Sequence, residues 1–217
     1  MVVSIEKNHF IWLTLALIGL LIAGAFSKEI PDNAALQLIE YSSVVLLLVS
    51  LLSLKTDRVW GKRFLLIVGT LLAAVVVRGA TEIHYFEYFY LGLLLVFMIS
   101  AAVMVGSHVL LTGSVDLNII VGSVALYLLL GLIFSIFYTI LLEFTPEAFK
   151  GIEAGMWYDN LPATTYFSFV TLTTLGYGDI SPVTPIAEVI VILEAVTGMF
   201  YLAIIVASLI GSLRDQR

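Results

Sequence analysis

Residues 161–179 read Leu161-Pro162-Ala163-Thr164-Thr165-Tyr166-Phe167-Ser168-Phe169-Val170-Thr171-Leu172-Thr173-Thr174-Leu175-Gly176-Tyr177-Gly178-Asp179. The stretch from Leu161 to Leu172 is mostly apolar and free of charge, yet about 12 helical residues are too few to cross a bilayer, which takes about 20. It then closes in a glycine-rich turn. On either side lie apolar runs that are long enough, Val115 to Leu142 and Val183 to Leu213. A short helix that enters the membrane and stops, held between two that cross it, is the arrangement this pattern predicts.

Further apolar runs extend toward the N-terminus: Phe10 to Phe26, Ala34 to Leu54, Trp60 to Val77 and Tyr88 to Leu111. With 61% hydrophobic and 12% charged residues and a mean hydropathy of +1.10, the chain of 217 residues is too apolar for a soluble core. The fold expected is an all-α integral membrane protein, with six transmembrane helices and a re-entrant helix between the fifth and sixth. The absence of cysteine removes disulfides, thiolate metal sites and palmitoylation. The first run has a second reading as a secretory signal, because Lys7 precedes it and Ala23-Gly24-Ala25 ends it. Its length favours a retained helix.

Basic residues orient such a chain. One side receives Lys7, Lys55, Arg58, Lys62, Arg63, Arg214 and Arg217, seven in all, against Lys28, Arg78 and Lys150 on the other. Both termini are expected in the cytoplasm, in a multi-pass protein of the plasma membrane, with the glycine-rich turn entering from outside. Trp12 and Trp60 then fall near the inner interface and Trp157 near the outer one.

Residues Thr173 to Asp179, TTLGYGD, closely resemble the selectivity filter of potassium channels, with Leu175 where valine is commoner. The resemblance covers about Ser114 to Gly211. It implies that the carbonyls of Thr174, Leu175, Gly176 and Tyr177 hold K+, the permeant ion, in place of its water shell. Gly176 and Gly178 suit this, because an inward column of carbonyls needs positive φ at alternate residues. The Thr174 hydroxyl would add an oxygen at the inner mouth. Thr173, Asp179 and the pair Tyr166 and Phe167 stand where relatives support the filter, the aromatic pair packing around the filter tyrosine, here Tyr177. Equally, an aromatic on a buried helix is core by default. Val170 occupies a position where some relatives carry a buried glutamate.

One chain supplies one filter segment, so a ring of carbonyls implies a homotetramer. Asn160 can cap the short helix and Pro162 suits its first turn, leaving the negative end of its dipole aimed at the pore centre. Glu143, Glu147, Glu153 and Asp159 against Lys150 would make a negative outer vestibule, or simply a solvated loop. Glu194 lies deep in the final run, where a lipid-facing acid costs about 2.5–3.5 kcal/mol. It therefore faces protein or water, either tuning permeation or gating, or as a structural carboxyl meeting pore-helix hydroxyls such as Thr171. Gly198 aligns with a glycine at which relatives flex, with close helix packing as its rival explanation.

The chain is divided into residues 1–113, a four-helix unit in the place of a voltage sensor, and 114–217, the pore domain. Between Phe64 and Phe149 the only Lys or Arg is Arg78, near Glu82 and Glu87. A charge moved through the membrane field supplies about 2.3 kcal/mol per 100 mV, so steep voltage gating is not expected. The sequence ends shortly after the sixth run, and no cytoplasmic regulatory domain is expected; His84 and His108 are weak candidates for pH sensing. The plan resembles bacterial-type six-span potassium channels that lack the arginine-bearing helix. The function expected is passive, potassium-selective flux. A nonselective cation channel and a subunit of a potassium uptake complex are the alternatives. An enzyme is not expected, since no metal cluster, activated nucleophile or phosphate loop is present. Neither a cofactor nor nucleic acid is expected; the partners are membrane lipids and further copies of the chain.

Overall fold

A computed structural model describes residues 9–29, 32–53, 65–74, 85–111, 117–153 and 155–215. In chain order the helices are α1 (His9–Phe26), α2 (Asp32–Ser53), α3 (Leu65–Ala74), α4 (Tyr85–Leu111), α5 (Leu117–Phe144), α6 (Trp157–Leu172) and α7 (Pro185–Asp215). A 3-10 turn, Ser27–Glu29, follows α1. Two short strands, β1 (Phe149–Lys150) and β2 (Ser181–Pro182), pair antiparallel, with Phe149 opposite Pro182 and Lys150 opposite Ser181. Helix is the expected form for apolar chain in lipid, because it satisfies every backbone donor and acceptor within the segment.

Among the described residues three stretches are long and apolar enough to cross a bilayer: Tyr88–Val109, Leu117–Phe144 and Pro185–Ile205. Phe10–Phe26, Gln37–Ser50 and Leu65–Ala74 are shorter apolar helices. Each of the six apolar runs read from the sequence thus overlaps a helix, and residues 60–64 and 75–77 of the third run lie outside the described residues. Lys7, Lys55, Arg58, Trp60, Lys62, Arg63, Arg78, Glu82, His84 and Arg217 lie outside the described residues.

At 28 residues α5 is roughly 42 Å long at 1.5 Å per residue, more than a bilayer core needs. It is the central post. On one flank it meets α1, where Gly122 lets the Phe10 ring and Val109 approach. On the other it carries α6. The larger apolar cluster runs through both regions, taking Leu13 and Leu17 from α1, Leu71 from α3, Leu91 and Phe97 from α4, Leu129 and Ile133 from α5, and Trp157 from α6. A second cluster, beside β1 and β2, joins Tyr138, Phe149, Phe167, Ile180 and Ala187.

Trp157, placed near the outer interface by the sequence reading, packs inside the protein. It is buried, with Tyr90 at 5.7 Å and Tyr158 at 5.8 Å between ring centroids. As the first residue of α6 it serves as the wedge that seats the short helix against α4.

Candidate functional site

The short helix starts earlier than its capping signals suggested. Trp157 opens it after Met156, which makes no side-chain cap, and Asn160 sits inside the first turn, turned back so that its Nδ2 donates to the Gly155 carbonyl at 3.0 Å. Pro162 is therefore an interior residue rather than an opening one. Burial of Trp157 draws the preceding turn into helical form, which outweighs the local preference for Asn160 as a cap.

Hydroxyl groups fix α6 against α5. Ser135 Oγ lies 2.8 Å from Thr165 Oγ1, and Thr139 Oγ1 lies 2.8 Å from Thr164 Oγ1, with Ser135, Thr139 and Thr164 fully buried. Further along, Ser168 Oγ lies 2.6 Å from the Gly131 carbonyl oxygen. A side chain at Gly131 would strike the Phe169 ring, with a Cβ falling 2.6 Å from its tip. Glycine here is what permits α6 to lie so close.

The chain leaves α6 in a tight wrap. Thr173 N donates to Phe169 O at 3.1 Å, Thr174 N to Thr171 O at 2.9 Å and Leu175 N to Val170 O at 2.9 Å. Beyond it, positive φ recurs at every second residue: Thr174 at 60°, Gly176 at 55° and Gly178 at 80°. Thr174 is the single non-glycine residue in that region among those described. For a β-branched residue this conformation costs about 1–3 kcal/mol and persists where the surroundings dictate it. The whole segment Thr173–Asp179 is exposed in the protomer, Leu175 to 59% and Tyr177 to 66%.

The C-terminal end of the segment is anchored. Tyr166 Oη donates to Asp179 Oδ2 at 2.7 Å, and that bond holds the Asp179 carboxyl below the usual carboxylate range. Ile180 enters the second cluster, β2 returns to β1, and Val183 N donates to Ala148 O at 2.9 Å. Gly151, with φ of 90°, allows the Asp179 carbonyl to pack directly on its Cα. Phe167 turns into the second cluster, 5.2 Å from the Tyr138 ring and 5.4 Å from the Phe149 ring. Glu147, Lys150, Glu153 and Asp159 are exposed around this end, and Glu143 is half-buried.

Behind the segment, Glu194 of α7 is fully buried. Its Oε1 lies 2.5 Å from Ser168 Oγ, and Tyr138 Oη bonds its Oε2. Its α6 partner is therefore Ser168 rather than Thr171. One turn on, Gly198 faces the Leu172 backbone, where an added Cβ would collide with the carbonyl oxygen. That carbonyl also accepts from Tyr127 Oη at 3.2 Å. Close approach of backbones accounts for this glycine in the structure. Ser168, Tyr138, Tyr127 and Gly131 were not singled out from sequence, and neither was the left-handed backbone of Thr174. Hydroxyl spacing on α6 and the small residues of α5 were the available signals, but which of them meet is set by helix rotation.

Residues 123–215 match the model of a family described as "Ion channel". A stretch of 73 residues is 32% identical to two-pore potassium channel 5 of Arabidopsis thaliana, covering 34% of this chain and 17% of that protein. The chain thus matches less than one fifth of the length of that curated relative. No solved structure is significantly similar. Over residues 123–215 the resemblance to the potassium channel superfamily is borne out as a similarity, and the protein is an all-α membrane protein with three described stretches long and apolar enough to cross a bilayer.

Proposed function

We propose that the protein conducts K+ passively and selectively through a pore at the centre of four copies of the chain. The carbonyls of Thr174, Leu175, Gly176 and Tyr177 hold the dehydrated ion, with the Thr174 hydroxyl below them and Gly178 completing the turn. Thr173, Asp179, Tyr166 and Phe167 support this column. The observation that carries the reading is the positive φ at alternate residues 174, 176 and 178. A backbone that alternates in this way can turn successive carbonyls to one side, which ordinary strand or helix cannot do.

Two further features support it. The α6 C-terminus lies beside the segment, and its partial negative charge favours a cation. The apolar side chains Leu175, Ile186, Val189, Met199 and Phe200 stand exposed on one protomer. Only 11% of an 18-residue apolar window within Pro185–Ile205 is buried within that protomer, against 61% of such a window within Leu117–Phe144. Neighbouring copies, together with lipid, would cover such a surface.

Residues 1–113 form a four-helix unit and 114–217 the pore unit, with both termini in the cytoplasm of a plasma-membrane protein. The fourth helix has no arginine ladder, so opening is only weakly dependent on voltage. The exposed acids at the outer end raise the local cation concentration. The test is flux from liposomes holding only this protein, comparing K+ or Rb+ with Na+, with Ba2+ as blocker. Selective, Ba2+-sensitive K+ flux is expected. Equal Na+ and K+ flux would identify a nonselective channel instead.

A further inference from the structure

The contacts of Glu194 contain a proton count. Ser168 Oγ stands 2.5 Å from Glu194 Oε1 and 2.6 Å from the Gly131 carbonyl oxygen. A hydroxyl has one proton to give, and neither a carbonyl nor an ionised carboxylate has any. With Glu194 ionised, Ser168 could satisfy one of these oxygens and would face the other, lone pair to lone pair, at hydrogen-bonding distance.

One added proton resolves the arrangement. With Oε1 protonated, Glu194 donates to Ser168, Ser168 donates to the Gly131 carbonyl, and Tyr138 donates to Oε2. Every oxygen then has a partner of the right kind. The neutral form also suits the place, since Glu194 is fully buried and none of α5, α6 or α7 as far as Leu213 contains a Lys, Arg or His to offset a charge. The other titratable groups facing it are Tyr138 and Tyr127, both on α5.

We propose that Glu194 is held as a neutral carboxylic acid and, in that form, clamps α7 to α6 and α5 as a positioning residue for the filter. Its place in the fold gives the clamp leverage. Glu194 meets Ser168, and one turn further along both helices Gly198 meets Leu172, so α7 grips α6 at successive turns. The last turn of α6 in turn holds the Thr174 and Leu175 amides. The effect on permeation rests on the channel reading above; the protonation state does not.

The test uses the full chain in liposomes. An infrared difference spectrum of wild type minus Glu194→Gln should contain the carbonyl stretch of a protonated carboxylic acid at neutral pH. The glutamine amide can donate to Ser168 and accept from Tyr138, so Glu194→Gln should keep the K+ over Na+ flux ratio of the wild type. Glu194→Ala and Ser168→Ala should lower that ratio about tenfold, as expected when a buried partner is removed. Absence of the acid band, or a Glu194→Gln channel as impaired as Glu194→Ala, would overturn the proposal. If Glu194→Ala does not assemble, Ser168→Ala and the infrared band still decide. Wild-type liposomes without selective flux would remove the channel reading and the positioning role together, leaving the infrared result to decide protonation.

Discussion

Helices α1 to α4 and helices α5 to α7 are held by different kinds of contact. In the first group Leu13, Leu17, Ile39, Leu71 and Leu91 pack side chain to side chain, with the buried Ser43–Tyr90 hydrogen bond at 2.7 Å linking α2 to α4. In the second, α6 is pinned to its neighbours by Ser135, Thr139, Tyr138, Ser168 and Glu194, and by the glycines Gly131 and Gly198 that admit close approach. Dispersion contacts are short-ranged but non-directional, so several packings of similar volume serve almost equally well. Hydrogen bonds and backbone contacts admit one placement. Helices α5 to α7 hold a backbone segment in position; helices α1 to α4 hold one another together.

The comparison can be broken most severely at Gly178. Its φ of 80° is not open to a side chain without strain, and Gly178→Asp should reduce selective K+ flux by about a hundredfold or more while the oligomer still forms, as read by flux and by crosslinking. Unchanged selectivity would overturn the assignment. Next in size, Gly198→Ala pushes α7 away from the Leu172 carbonyl and should lower stability by about 1–3 kcal/mol, measured by thermal unfolding in detergent.

On the other side, Ser43→Ala removes a hydrogen bond between α2 and α4 and should cost about 0.5–1.5 kcal/mol without altering the K+ over Na+ ratio. A changed ratio would mean that the first helices help to shape the filter. Tyr166→Phe sharpens the contrast at the C-terminal end of the glycine-rich segment. The bond to Asp179 lowers that acid's pKa in the folded protein, so its stabilising contribution is complete above the ordinary carboxylate pKa and is lost as pH falls through the lower folded value. Without the bond, acid-induced loss of selective flux should begin at higher pH. Smallest of all, Leu66→Val, at a side chain 70% exposed on α3, should change stability by less than about 0.5 kcal/mol in the same thermal assay.

Much of this was legible beforehand. The apolar runs fall on helices because hydrocarbon forces the backbone to satisfy itself within each segment. Gly176 and Gly178 take the positive φ expected of them, since glycine has no Cβ to oppose it. The start of α6 was less readable: Asn160 and Pro162 gave a local signal, but burial of Trp157 between Tyr90 and Tyr158 set the boundary.

By its composition and a single seven-residue signature, the sequence determined the solvent, the helical form, the related family and the residues at which the backbone can reverse its handedness. Those properties depend on each residue's own covalent chemistry and on its immediate neighbours. Tertiary structure alone decided that Glu194 meets Ser168 and Tyr138, that Gly198 rests on the Leu172 carbonyl, and that Thr174 joins the glycines in the left-handed region. Those depend on the rotation and spacing of helices far apart in the chain, which local preference does not encode.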